Sequence, residues 1–148
     1  MKLTDYPNRV GQIYGVFIAI ALIIYFWIAK LFGFVNIPEF RLFNLVIQTT
    51  GIYLAYKQFR RTHGGSLHYF RAMAIGFGAT TVGTGLFAVF LFILFQLDKG
   101  LFQSIMQNEP LRQYLSVYMA TFAVLTEGII SGFVATYLLT NIMDSDQP

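Results

Sequence analysis

One run decides what this chain can fold into. From Gln113 to Met143 the sequence reads QYLSVYMATFAVLTEGIISGFVATYLLTNIM, with a single acidic or basic residue, Glu127, near its middle. Crossing the hydrocarbon core of a bilayer takes about 20 predominantly apolar residues. In that solvent every backbone N–H and C=O must be paired within the segment, which leaves the helix as the structure for such a run. Three more apolar stretches precede it, so the expectation is an all-α integral membrane four-helix bundle. Composition agrees, because only 11% of the 148 residues are charged, against about 25% in a soluble domain. Mean hydropathy is +0.60.

Helix 1 is expected over about residues 10–34. Arg9 marks its near end, and Tyr25, Trp27 and Lys30 mark the far one, as an aromatic belt and a snorkelling cation would. The basic start MKLTDYPNRV has some character of a signal peptide, but no small-x-small cleavage site follows, so the run reads as an uncleaved span. Asn36, Ile37, Pro38 and Glu39 then form a helix start, with Asn as cap and proline in the first turn. Helix 2 is expected over about 38–58. Its uncharged core from Leu42 to Tyr56 is short for a span, so it either relies on Arg41 and Lys57 snorkelling or is a buried or re-entrant helix.

The Gly64-Gly65 pair should end helix 2 before Ser66 caps helix 3, expected over about 67–96. Asp98 can cap a short helix over 99–107 whose Leu101, Phe102, Ile105 and Met106 share one side, an amphipathic piece suited to the membrane interface. Asn108, Glu109 and Pro110 repeat the earlier start signal, and helix 4 is expected over about 110–142. No linker or composition shift marks a second unit, so residues 1–148 read as a single transmembrane domain. The formal charge of +3 and pI of 9.3 come from residues flanking apolar runs. They read as topology, not nucleic-acid binding. Lys57, Arg60, Arg61 and Arg71 make the loop between helices 2 and 3 the most basic part, which predicts both termini on the cytoplasmic side. The same four residues are candidates for contacting anionic lipid head groups.

An ionisable residue inside an apolar span is a functional-site candidate by default. On a helix, Ser116, Ala120, Ala123, Ser131 and Val134 share the face of Glu127, which predicts that the carboxyl faces protein. Gly128 and Gly132 form a GxxxG pair on an adjoining face, where another helix could approach closely. Met119, Phe122, Ile129, Ile130, Phe133 and Tyr137 gather on the side expected to meet lipid. Helix 3 carries small residues on two opposite faces: Ala72, Gly76, Ala79, Thr80 and Gly83 on one, Ala74, Gly78, Thr81, Gly85 and Ala88 on the other. Packing on both sides is therefore expected, tight over this half and looser over the bulky LFAVFLFILF half. Depth along the helices places Gln48, Thr80, Thr81, Thr84 and Glu127 near one level, as a candidate intramembrane polar cluster.

The basic start, a first helix containing YG, the loop motif GGS, the small-residue third helix and the glycine-bearing last helix occur together in a known order. The chain resembles the bacterial membrane proteins grouped as domain of unknown function 4199, the stretch GGSLHYFRAMAIGFGATTVGTGLF carrying most of the likeness. The resemblance implies a multi-pass inner-membrane protein of uncharacterised activity, and it brings no site residues with it.

His63 and His68, five apart across a Gly-Gly turn with no acid or thiol nearby, read as interfacial residues, so no metal is expected. The absence of cysteine excludes disulfides, thiolate metal sites and thiol catalysis. No nucleophile triad, phosphate loop, dinucleotide fingerprint or HExxH is present, and neither catalytic residues nor a cofactor are expected. The expected role is that of an accessory or oligomer-forming membrane component, with the bilayer, further copies or a larger membrane complex as partners. The rival is a small oligomeric transporter or channel using Glu127 as a proton or ion site.

Overall fold

The computed structural model describes residues 7–65, 67–107, 109–110 and 112–145; the side chains of residues 7, 8, 36, 38, 112, 144 and 145 are likewise outside the description. Five α-helices follow in order: α1 (Pro7–Leu31), α2 (Leu42–Thr62), α3 (Tyr69–Leu97), α4 (Lys99–Met106) and α5 (Val117–Ser145). Short 3-10 turns cover Phe34–Asn36, Pro38–Arg41 and Arg112–Tyr114. No strand occurs among the described residues. Three helices are long and apolar enough to cross a membrane, Arg9–Leu31, Tyr69–Leu97 and Val117–Met143. Helix α2 is not among them, because Asn44, Gln48, Thr49, Thr50 and its basic end lower its mean hydropathy.

Several boundaries differ from the sequence reading, each for a local reason. Helix α1 stops at Leu31 because Gly33 turns left-handed at φ 74°, a conformation open to glycine, so residues 32–34 leave the helix. The Pro38 start yields a 3-10 turn with Ile37, not Asn36, at the cap, and regular α geometry begins at Leu42. Helix α2 then continues four residues past Lys57 and Gln58 to Thr62, where Gly64 and Gly65 take φ 68° and 87°. Arg60 and Arg61 therefore stand on its last turn, favourably placed against the helix dipole, not in a loop. The cap of α3 is His68; the proposed cap Ser66 lies outside the described residues. Asp98 does cap α4, its Oδ1 accepting from Leu101 N at 3.0 Å.

The largest shift is at the last helix, which begins at Val117 and not near Pro110. Ser116 Oγ accepts from Met119 N at 3.3 Å, the bond of an N-cap to the third helical residue, and this signal overrides the weaker Asn-Glu-Pro one. Asn108 of that earlier signal lies outside the described residues. The 29-residue helix is still about 44 Å long at ~1.5 Å per residue.

Helix α3 is the hub, packing on α1, α2 and α5, while α1 and α5 share little contact. Chain direction puts the end of α2, the start of α3, the start of α1 and the end of α5 together at a basic end. At the other end Lys30 lies 3.9 Å from Asp98 and Arg41 pairs with Glu109. Helix α4 turns its apolar side inward at this end. Ile105 is buried, Leu101, Phe102 and Met106 pack on the core, and the Phe95 and Phe102 rings lie 5.3 Å apart. Its amphipathic pattern thus serves the protein interior instead of presenting that side outward.

Close approach of the backbones over the basic half depends on glycine. In α1, a Cβ at Gly11 would lie 2.8 Å from the Ile75 carbonyl oxygen of α3, and one at Gly15 2.9 Å from that of Ala79. Both are nearer than a real Cβ tolerates. Ile18 of α1 fills the space left by Gly51 of α2 and Gly83 of α3, and is itself 2% exposed.

Candidate functional site

Antiparallel α3 and α5 interlock through residues four apart on each helix. Gly76 faces Thr136, Thr80 faces Gly132, and Thr84 faces Gly128, so that each glycine receives a threonine side chain where its own would have been. The i, i+4 spacing keeps the three pairs on one seam, and small residues let the seam close. Gly76, Gly83, Gly128 and Gly132, the four expected packing glycines, all stand at helix contacts. Gly11, Gly15 and Gly51 do so as well; the Gly11-Gly15 spacing was a readable signal for the first two, but Gly51 has no such pattern.

Into this seam reaches Gln48 from α2, 4% exposed. Its Nε2 donates to Thr84 Oγ1 at 3.2 Å and to the Gly128 carbonyl at 3.0 Å, which uses both amide hydrogens. Ser131 Oγ lies 3.3 Å from Gln48 Oε1 and 3.1 Å from the Gly128 carbonyl, sharing its one hydrogen between them. A side chain at Gly132 would collide with the Gln48 amide, so that glycine makes room for the bond as well as for the helix. One level toward the basic end, Tyr56 repeats the device. It is fully buried, its hydroxyl is 3.0 Å from Thr140 Oγ1, and Thr140 donates to the Thr136 carbonyl at 2.7 Å. These contacts tie α2 to α5 and α3.

The structure divides the expected polar cluster. Gln48 and Thr84 are joined; Thr80 is fully buried on the same seam, its hydroxyl without a hydrogen-bond partner among the described residues. Thr81 is exposed on another face of α3. Glu127 does not bond Gln48 or the α3 threonines and is exposed, which corrects its placement against protein. The reason is rotational: the seam runs through Gly128 and Gly132, and one residue back is about 100° round the helix. Ser131, not foreseen as the Gln48 partner, takes the place expected for the carboxyl.

Glu127 nevertheless borders a cavity of about 340 Å³ between the helices in the half away from the basic end. Gln48, Thr84 and Ser131 belong to its wall, as do Phe26, Phe87 and Phe95. Exposed Leu42 and Leu45 of α2 and exposed Ala123 and Glu127 of α5 also line it, so the space reaches the surface between these two helices. The Arg41–Glu109 pair and the stacked rings of Phe34 and Phe40, 4.6 Å apart, line it near the chain turns.

At the basic end Lys57, Arg61 and Arg71 are exposed and Arg60 is half-buried, its Nε donating to the Gly65 carbonyl at 3.3 Å. His63 stacks on Phe59 with ring centres 4.0 Å apart, and His68 is exposed. On the far side of α3 from the inner seam, Ala74 and Thr81 are exposed, and a Cβ at Gly85 would meet nothing within 4 Å. Of the second small-residue face, Gly78 approaches Gly11 and Ala88 is buried; the rest is uncovered.

Helical, with three helices of membrane-spanning length and apolarity and a glycine-threonine core, the chain falls in the class of proteins with membrane-like helices. Residues 13–136 match the family described as protein of unknown function (DUF4199), and the chain belongs to that family. No curated protein and no solved structure matches it.

Proposed function

We propose that the protein is a bacterial inner-membrane component with four spans and both termini cytoplasmic, which works by association and not by catalysis. Its most direct partner is a second copy of itself. The observation that carries this reading is the uncovered small-residue face of α3. Ala74 and Thr81 are exposed, and a Cβ at Gly85 would meet nothing within 4 Å, so among the described residues this face of α3 is left uncovered. Lipid tails are as apolar as a helix surface, so helices associate in a bilayer where small residues let backbones approach. A face of small residues is such a place.

The fourth span is α2. Its outward side chains Phe43, Val46, Tyr53 and Leu54 are exposed and apolar, while Gln48 and Tyr56 turn inward and are hydrogen-bonded. Average hydropathy undercounts a helix whose polar groups are satisfied inside. Lys57 and Arg61 at its end suit a membrane surface and extend the span by snorkelling.

The test is the mass of the purified protein in mild detergent. The wild type is expected as a dimer or larger homo-oligomer, and Gly85→Leu as a single copy of unchanged thermal stability. A wild type that is already a single copy, or a Gly85→Leu variant that keeps the oligomer, overturns the reading. A second reading, a transporter or channel of several copies, is favoured by one observation: Glu127 borders a cavity that reaches the surface.

A further inference from the structure

The cavity between α2 and α5 has a chemical character that association through α3 does not use. At about 340 Å³ it lies within the range of small-molecule sites, roughly 300 to 1,000 Å³, which are apolar with a few placed polar groups. Its ionisable wall residues are Tyr25, Arg41, Glu109 and Glu127, and the Tyr25 hydroxyl donates to the Phe40 carbonyl at 2.9 Å. Arg41 and Glu109 satisfy each other. The amide of Gln48 is occupied by Thr84, Gly128 and Ser131. What remains for a ligand is the Glu127 carboxyl at the border, the one acid of this wall outside an ion pair, with the half-buried amide of Asn44 and the rings of Phe26, Phe87 and Phe95 beside it.

We propose that this cavity binds a lipophilic amine, its alkyl or aryl body among the phenylalanine rings and its ammonium on Glu127. Charge complementarity selects the head group. An acid within an apolar helix is costly when ionised, and a charge of opposite sign is the partner that removes the cost. A fatty acid would bring a second negative charge to the border, and a neutral chain would leave Glu127 as it was. Access from the side fits a ligand dissolved in the membrane, since the bordering residues Leu45 and Ala123 are exposed on the two helices that flank the opening. The cavity wall shares no residue with the uncovered α3 face of Ala74, Thr81 and Gly85, so oligomer loss and ligand loss are separable.

The experiment uses the full chain in phosphatidylcholine nanodiscs, with protein-free nanodiscs subtracted, and compares retention of isotope-labelled n-octylamine and n-octanol. Octylamine is expected to bind at least about ten-fold more tightly than octanol, a difference of about 1.4 kcal/mol. Glu127→Gln is expected to bring octylamine to the octanol level, and Ala123→Phe, which narrows the opening, to weaken both. Equal retention of the two probes by the wild type overturns the proposal and marks a pocket for any acyl chain. Preference for the amine that survives Glu127→Gln overturns it too, because the selectivity then lies elsewhere.

Discussion

The two halves of α3 show opposite ways of packing the same helix. From Ala72 to Thr84 glycine, alanine and threonine recur at the contacts beside the buried Ile75, and α1 and α5 come close enough that Gly11, Gly15, Gly128 and Gly132 have no room for a side chain. From Phe87 to Phe95 most contact residues are large, and the rings of Phe26 of α1 and Phe87 and Phe90 of α3 lie with centres 6.0 to 6.5 Å apart. Small residues close a seam because backbone meets backbone. Phe26 meets the other two rings edge to face, while Phe87 and Phe90 stack at 24°. The difference teaches how residue size along one helix sets the spacing, because the cavity lies in the half where the contact residues are large.

The strongest way to break this contrast is to put bulk into the tight seam. Gly132→Leu drives a side chain into Thr80 and the Gln48 amide, and the expected loss is about 3 kcal/mol or more, from overpacking with broken hydrogen bonds. Reversible unfolding in mixed micelles should show it as loss of the folded fraction. A variant as stable as the wild type would mean that the seam is not closed.

Paired truncations sharpen the comparison. Ile75→Ala removes a fully buried side chain in the tight half and is expected to cost about 4 kcal/mol, whereas Leu91→Ala, beside existing space, is expected to cost about 2 kcal/mol. Equal losses in the same unfolding assay would erase the distinction between the halves. A smaller effect is expected at the boundary itself. Gln48→Leu leaves Thr84 and Ser131 without the amide but with helix carbonyls in reach, so about 1 to 2 kcal/mol should be lost, within the range of interhelical hydrogen bonds in membranes. An unchanged midpoint would show that the Gln48 bonds add nothing to the packing and the Tyr56–Thr140 bond that also hold α2. Phe133, expected on the sequence to meet lipid, is 38% exposed but has its ring 4.3 Å from that of Phe77, so a substitution there disturbs a ring contact; Phe122, 68% exposed, is the better site for a control substitution.

The local code was largely readable. Asp98 before an amphipathic octet gives a capped helix, Gly64-Gly65 ends α2, and the small-residue run of α3 places Gly76 and Gly83 at contacts. The start of α5 was misread because two start signals compete over residues 108–116, and sequence alone does not rank a proline turn against a serine cap. The polar site was readable only in part, and its Ser131 partner was not expected. Gln48 and Thr84 meet, yet Thr81 lies outside and Glu127 borders the cavity instead of joining them.

What the sequence determined by itself is what depends on neighbours along one helix: the apolar runs, the ends of α3 and α4 to within two residues, and which residues share a face. Only the tertiary structure decided which way each face points. Helical periodicity fixes angles within a helix and leaves its rotation about its own axis free, and that rotation is settled by where backbones approach most closely. The seam chose Gly128, and so left Glu127 about 100° away at a cavity border. The same choice covered one small-residue face of α3 with α5 and left the other open.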